Sequence, residues 1–330
     1  MSGLSKLIER YSEVELATLV DKPPEGPEWL SEVKFDGYRL LGFLSRGAPA
    51  LRTRNGNDWT DRFPSLSKAL LTLKAKDAVL DMEAVILDPK GKSSFQALQN
   101  ALGEASHSEK IVAYVFDLLY LDGKDLRGLP LIERKDKLEA LLRNSRKNAL
   151  RYSDHVAGQS TEMFEKACKT GLEGIVSKLA SAPYLAGRQK SWLKIKCTLR
   201  QEFIILGFSD ARKGERALGA LYLGYRKNSV LHYAGKVGTG FSMKSARDLV
   251  KRFAGLRIDQ PVLSRPEATG LPAGEWRSVH WLKPELLCEV SFTEWTGDGH
   301  IRHPSFHGLR EDKNAKEVKK EWPSKLRNPI

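Results

Sequence analysis

At 330 residues the chain has room for two domains of ordinary size. Its 41% hydrophobic and 8% aromatic content supplies a packed core and excludes a disordered or fibrous chain. Fifty-four Lys and Arg against 41 Asp and Glu leave a net charge of +13, which favours a polyanionic partner such as nucleic acid or an anionic membrane.

Residues 313–330 hold only six basic and two acidic side chains, so most of the excess lies in the body of the chain. The N-terminal stretch "MSGLSKLIERYSEVE" lacks the apolar region of a secretory signal. The longest apolar run, "IVAYVFDLLYL", is interrupted by Asp117 and too short to cross a bilayer. Secretion and membrane insertion are therefore not expected. Cys168, Cys197 and Cys288 form no C-x-x-C pair, and the expectation is three reduced, buried thiols in a cytosolic protein. No internal repeat or low-complexity block is present.

In chain order, "YRLLGFLSR" and "AVLDMEAVIL" read as strands, while "SLSKALLTLK" and "PLIERKDKLEALLRN" carry helical apolar spacing. Between them, Ser93 followed by Gln96 fits a capping box that opens a helix, with Gly103 as its stop. The pattern to about residue 198 is α+β. Beyond "WLKIKCTLRQ" come short strands at hairpin spacing, "EFIILGFSD", "LGALYLGYR" and "VLHYAGKVG". A helix, "SMKSARDLVKRF", and a further strand, "ELLCEVSFTEW", complete the series. That succession suits a small closed barrel of the OB kind. The expected division is 1–198 and 199–330, with an error of a few residues.

Standard nucleotide cradles are absent: no G-x-x-x-x-G-K-[ST] occurs and no G-x-G-x-x-G follows a strand. His300, His303 and His307 sit in a loop-like segment without an acid or thiol at ligand spacing, which argues against a metal centre there. Lys34 in "EVKFDGYR" is a candidate nucleophile. A lysine amine, normally protonated below about pH 10, attacks only when burial or nearby cations disfavour its charge. Lys194 and Lys196 in "SWLKIK" are two apart on an expected strand, so both point to one face. Asp81 and Glu83 share a strand face in the same way, and Glu173 precedes a strand in "GLEGIVSK". Such acids need a divalent cation or an ion-pair partner, and Asp81 suits an ion pair as well as a metal.

The ordered set "KFDGYR" (34–39), "RNG" (54–56), "DMEAV" (81–85), "VFDLLYLDG" (115–123), "EGIVSK" (173–178), "WLKIK" (192–196) and "RHPSFHGLREDK" (302–313) resembles the motifs of ATP-dependent DNA ligases. Its wording is most similar to the ligase module of the bacterial end-joining DNA ligase D group, as a free-standing version or an excised module. The resemblance implies an ATP-grasp-like nucleotidyltransferase (adenylation) domain followed by an OB-fold domain. It also implies ATP and Mg²⁺, with Mn²⁺ as a substitute, a cytoplasmic, nucleoid-associated monomer, and nicked or broken double-stranded DNA as substrate. A Ku-like end-binding protein is the implied partner.

By the same resemblance Lys34 takes AMP from ATP, Glu32 contacts the adenine amino group, and Phe116 and Val176 enclose the ring. Arg39 and Arg54 hold ribose and phosphate oxygens, Arg188 matches another nucleotide-contacting position, and Lys194 and Lys196 bind the α-phosphate. Glu83 and Glu173 are the implied metal ligands, and Asp36 is implied to help place the ribose or a metal. Arg310, Asp312 and Lys313 are implied to swing in and orient pyrophosphate about a hinge near Cys197–Gln201. The third motif reads Asp81-Met82-Glu83 where the family has glycine in the middle; Met82 is expected to face away from the acids. Two alternatives accompany this reading. One is an RNA ligase or capping guanylyltransferase, and the other is a non-catalytic OB-fold nucleic-acid-binding protein.

Overall fold

The computed structural model describes residues 3–89, 91–103, 110–143, 149–211, 218–265 and 267–321. The chain divides into two compact units, one ending at Cys197 and the other spanning Thr198–Glu321.

The first unit opens with α1 (Gly3–Arg10), β1 (Glu15–Leu19), β2 (Trp29–Val33), β3 (Tyr38–Ser45), β4 (Ala48–Thr53), α2 (Pro64–Leu70) and β5 (Asp77–Val85). It continues through α3 (Phe95–Gly103), β6 (Val112–Leu121), β7 (Lys124–Asp125), α4 (Leu131–Leu142), β8 (Leu150–Tyr152) and β9 (His155–Ala157) to α5 (Ser160–Lys169), β10 (Gly174–Leu179) and β11 (Gly187–Lys196). These strands form two sheets, ordered β1-β11-β10-β2-β9 and β4-β3-β5-β6-β7, the latter with β8 beside β6.

Strand alternation sorts the side chains of the second sheet onto its two faces. Tyr38, Leu40 and Leu44 of β3 join Leu80 and Met82 of β5 in one core, together with Leu66 and Leu70 of α2 and Leu138 and Leu142 of α4. Leu41, Phe43 and Val79 look the other way, into a cluster with Leu7, Tyr11, Tyr184 and Trp192. Met82 thus packs on the face opposite Asp81 and Glu83, as its strand phase requires. On the first sheet, Trp29, Ile175, Leu193 and Ile195 are buried with Ala167 of α5, which leaves the reverse face to Glu32, Val176, Lys194 and Lys196.

Two expectations are corrected. The start of α3 is capped by Ser94, whose hydroxyl accepts from the Ala97 amide at 3.3 Å; Ser93 instead accepts the Asp36 amide at 3.0 Å. Adjacent serines offer the same hydroxyl, and the tertiary contact decides which of them caps. Cys168 and Cys197 are not free thiols: they form a disulfide across 29 residues, with Cα atoms 5.2 Å apart. α5 packs on β10, whose neighbour β11 ends just before Cys197, and so brings the two cysteines together. Cys288 is a free, buried thiol, which burial pushes well above its ordinary pKa.

The second unit contains β12 (Leu199–Ser209), β13 (Ala220–Lys227), β14 (Val230–Val237), α6 (Met243–Phe253), α7 (Ala273–Ser278) and β15 (His280–Trp281). It ends with β16 (Leu287–Phe292), β17 (Glu294–Trp295), β18 (Ile301–Arg302) and β19 (Ser305–Leu309). The main sheet runs β14-β13-β12-β16-β19. Its outer strands approach where the Phe306 amide of β19 donates to the Thr239 carbonyl just past β14, at 3.0 Å. Ser242 and Ser245 form a reciprocal capping box at the start of α6. Ala246, Leu249 and Phe253 of that helix enter the barrel core with Phe203, Leu221 and Val290.

Candidate active site

Register across three strands assembles the first part of the site. In the β2-β10-β11 ladder Glu32 lies opposite Val176, and Val176 opposite Lys194. One step on, the Lys34 amide donates to the Gly174 carbonyl at 3.0 Å, and Gly174 pairs with Lys196. One step back, Lys178 pairs with Trp192. Residues directly opposite share a face, so Glu32, Lys34, Val176, Lys178, Lys194 and Lys196 stand together on one side of this sheet. Only glycine fits between the two lysines: a Cβ on Gly174 would lie 2.0 Å from the Ile195 carbonyl oxygen, at φ +151°.

The segment carrying Lys34 is held on several sides. Phe35 stacks on Tyr114 of β6, centroids 3.9 Å apart and planes 13° from parallel, and Ser93 holds the Asp36 amide. Gly37 passes so close to β5 that a Cβ would meet the Ala84 carbonyl oxygen at 2.0 Å.

Lys34 Nζ donates to Glu173 Oε2 at 2.9 Å. Burial disfavours its charge, but the carboxylates of Glu173, Glu83 and Asp36 outweigh burial and raise the ammonium above the ordinary lysine range. The acids thus outweigh the burial that would prime the amine, and it is protonated and ion-paired. Those acids are also the expected metal ligands. Among the described residues no three His, Cys, Asp or Glu side chains converge into a metal-holding group. Mg²⁺ is typically bound by one or two carboxylates with waters and phosphate oxygens supplying the rest. The donor chemistry therefore fits: hard oxygens already gathered around one positive charge.

Arg39, paired with Glu83 across β3 and β5, is committed to the protein. Its Nε donates to Asp81 Oδ1 at 2.9 Å and its Nη1 to the Glu15 carbonyl at 2.8 Å, while its Nη2 also reaches Asp81. Asp81 is fully buried and also accepts the Tyr184 hydroxyl at 2.7 Å. It thus takes the ion-pair role. The guanidinium stacks over Phe116 and Trp192, at 5.3 and 5.7 Å from the ring centroids. Met82 opposes Val115 and Asp81 opposes Asp117, so Phe116 is the extra residue of a bulge in β6. Bulges re-aim side chains, and here Phe116 meets Trp192 and Lys178.

Glu32 is buried, with its carboxylate accepting from Lys135, Lys178 and Ser153. Burial opposes its charge, yet Lys135 and Lys178 hold its pKa below the usual carboxylate range. Lys178 is itself lowered, first by burial and, against the pull of Glu32, by Lys135. Lys135, Ser153 and Tyr184 escaped the sequence reading. The signal for Lys135 was its phase: residues 131, 134, 135, 138 and 142 form the buried stripe of α4, with Arg134 and Lys135 in positions that apolar residues usually fill.

Arg54 lies in the turn after β4, half-buried. Arg188 sits at the exposed start of β11, donating to the Ala17 carbonyl at 2.7 Å, six residues from Lys194. Arg310, Asp312 and Lys313 belong to the second unit, where they are engaged. Arg310 forks onto Asp312 at 2.9 and 2.8 Å and reaches Glu289 at 3.1 Å, and Lys313 pairs with Glu202. At the expected hinge, Cys197 is tied to Cys168, and Leu199 to Gln201 pair with β16. Thr198 between them is exposed.

Residues 7–196 match the family model described as the ATP dependent DNA ligase domain, and residues 214–313 match the ATP dependent DNA ligase C terminal region. The chain is 45% identical over 313 residues to the multifunctional non-homologous end joining protein LigD of Pseudomonas aeruginosa, covering 94% of this chain and 36% of that protein. It is 36% identical over 296 residues to the corresponding LigD DNA repair protein of Mycobacterium tuberculosis, covering 89% and 38%. The chain thus spans a little over a third of these curated relatives. A solved mycobacterial DNA ligase D, in complex with ATP and MES, is 34% identical with a TM-score of 0.66, covering 93% of this chain and 98% of that one. With both units matched, and a lysine, its flanking arginine and two downstream lysines placed as above, the chain belongs to the ATP-dependent DNA ligase family.

Proposed function

We propose that the chain seals breaks in double-stranded DNA during end joining, through AMP carried covalently on Lys34. The observation that supports this is the cross-strand row Lys34–Gly174–Lys196 beside Glu32–Val176–Lys194, in which Lys34, Glu32, Lys194 and Lys196 share one sheet face, as a nucleophile, an adenine contact and two phosphate-binding cations would need to. The Lys34 amine, once its proton is lost, attacks the α-phosphorus of ATP. A P–N bond forms, the bond to the bridging oxygen breaks, and pyrophosphate leaves. The adenylyl group then passes to a DNA 5′-phosphate oxygen, and the adjacent 3′-hydroxyl attacks that phosphorus and releases AMP.

In the first step Lys194 and Lys196 stabilise charge on the α-phosphate oxygens, and Phe116 and Val176 enclose the base. A ribose or phosphate contact by Arg39 requires exchanging part of its fork on Asp81 and the Glu15 carbonyl, while Arg54 and Arg188 supply further contacts. Glu83, Glu173 and Asp36 would hold Mg²⁺, or Mn²⁺ in its place, which neutralises phosphate charge. A pyrophosphate-orienting role for Arg310, Asp312 and Lys313 requires exchanging ion pairs made within their own unit. The net charge of +13 suits a DNA partner, and an end-binding protein of the Ku kind would deliver the ends to a monomer of this chain in the bacterial cytoplasm, at the nucleoid.

The test is incubation with α-labelled ATP and Mg²⁺, followed by sealing assays on nicked, blunt-ended and RNA-containing duplexes. Covalent label that is lost in Lys34→Ala, with joining of DNA, is the expected result. Label that persists in Lys34→Ala overturns it.

A further inference from the structure

The buried carboxylate of Glu32 is held by donors from three separate elements. Lys135 Nζ of α4 donates to Oε1 at 2.7 Å and Lys178 Nζ of β10 to the same oxygen at 3.0 Å; Ser153 Oγ, between β8 and β9, donates to Oε2 at 2.8 Å. An ionised carboxylate has about four lone-pair directions and no proton to give. Among the described residues two donors reach Oε1 and one reaches Oε2, so the remaining acceptor capacity lies on Oε2.

Lys135 is as buried as any apolar core residue. A second bond ties it to the Ser153 carbonyl at 2.9 Å, and its ammonium lies 4.6 Å from the centre of the Tyr152 ring. Lys135 and Ser153 therefore form one clamp around Glu32. Lys178 does not substitute for it. It shares Oε1 and leaves Oε2 untouched, and its ammonium also faces the rings of Phe116 and Trp192 at 4.5 and 4.3 Å.

Resting on the reading of Glu32 as the adenine contact, we propose that Lys135 and Ser153 are positioning residues for nucleotide selection, fixing Glu32 as an acceptor with its remaining capacity on Oε2. A 6-amino purine places an N–H there. A 6-oxo purine places a carbonyl oxygen against a carboxylate oxygen, two acceptors with no proton between them. Sites that leave a buried polar group unmatched reject the wrong ligand strongly. With the clamp loosened the carboxylate can rotate, more than one acceptor direction opens, and the discrimination weakens.

The experiment compares self-adenylylation by ATP with self-inosinylation by ITP, whose base carries oxygen where adenine carries the amine. It uses the full chain with Lys135→Met, Lys135→Arg and Ser153→Ala. The expected result is a fall of about tenfold or more in the ATP-over-ITP ratio of kcat/KM for Lys135→Met. The fall appears in KM for ATP more than in kcat, is smaller for Ser153→Ala, and is largely restored in Lys135→Arg. A merely structural role predicts equal losses for both nucleotides. An unchanged ratio in Lys135→Met and Ser153→Ala overturns the proposal, and should Lys135→Met fail to fold, Ser153→Ala, which deletes only a hydroxyl, decides it. Normal ATP labelling with unchanged ratios removes this inference alone; a wild-type chain that takes no label from ATP removes the ligase reading with it.

Discussion

Lys34 Nζ and Glu173 Oε2 stand 2.9 Å apart, so the proposed nucleophile begins as one half of an ion pair. Burial alone would favour the neutral amine, but Glu173, Glu83 and Asp36 reverse that and raise its pKa. On the proposed mechanism, the attacking form would be generated by drawing these acids away from the ammonium.

Replacing Glu173 by glutamine removes the nearest of the three charges and lowers the pKa of Lys34. At a fixed pH near 9 a larger fraction of Lys34 is then free amine, and its rate of modification by an amine-selective reagent rises several-fold, each unit of pKa being tenfold in that fraction. Mass spectrometry of the Lys34 peptide reads this directly. Equal rates in wild type and Glu173→Gln would show that the ion pair does not control the amine.

Arg39 and Asp81 make the complementary case, since Asp81 has no exposure and Arg39 supplies both of its ionic contacts. Arg39→Ala strands a buried carboxylate, which costs about 3–5 kcal/mol. Arg39→Lys, one cation without the planar fork, loses less. Urea titration of the full chain should rank wild type, Arg39→Lys and Arg39→Ala in that order. An Arg39→Ala chain as stable as wild type would contradict the pairing.

What could be read from the sequence was periodic. Lys194 and Lys196 share a face because strands repeat every two residues, and Met82 turns away from Asp81 and Glu83 for the same reason. What escaped was long-range. The helix cap moved from Ser93 to Ser94 because Asp36, 57 positions from Ser93, claims the Ser93 hydroxyl. The clamp on Glu32 comes from Lys135, 103 positions away, and Ser153, 121 away. The pairing of Cys168 with Cys197 depends on α5 packing against β10, which no local pattern encodes.

In the second unit Glu289 is buried, which raises a carboxyl pKa, but Arg200 and then Arg310 hold it at about 2. A carboxylate whose folded pKa is depressed contributes stability that is fully present above its unfolded value, near 4.3, and lost as pH falls toward 2. Glu289→Gln should therefore be less stable than wild type at pH 7, by on the order of 3 kcal/mol. The gap should narrow between about pH 4 and pH 2. Denaturation series at pH 7, 4 and 2.5 test this, and a gap independent of pH would exclude the proposed ionisation.

The disulfide between Cys168 and Cys197 closes a 29-residue segment containing Glu173, Val176, Lys178, Lys194 and Lys196. Restricting a loop of that length in the unfolded chain is worth about 3–4 kcal/mol on the chain-entropy account. Reduction, or Cys168→Ser, should lower the thermal midpoint of the full chain. Reductant should have no further effect on Cys168→Ser, because Cys288 is unpaired. A wild-type midpoint indifferent to reductant would count against the cross-link.

Gly174 is where fold and chemistry depend most directly on one another. It accepts the Lys34 amide, pairs with Lys196, and has φ +151° with no room for a Cβ beside the Ile195 carbonyl. Backbone in that region is essentially reserved for glycine, so Gly174→Ala must shift β10 against β11 or move the Lys34 segment away from β10. Either response separates Lys34 from Lys196. Val176→Ala, two residues along on the same face, removes side-chain volume without backbone strain. The expected outcome is loss of nearly all self-adenylylation in Gly174→Ala, with a stability cost of roughly 2 kcal/mol or more. Val176→Ala should retain the lysyl-AMP step with a higher KM for ATP. Wild-type labelling by Gly174→Ala would mean that the spacing between the two lysines is not what the reaction requires.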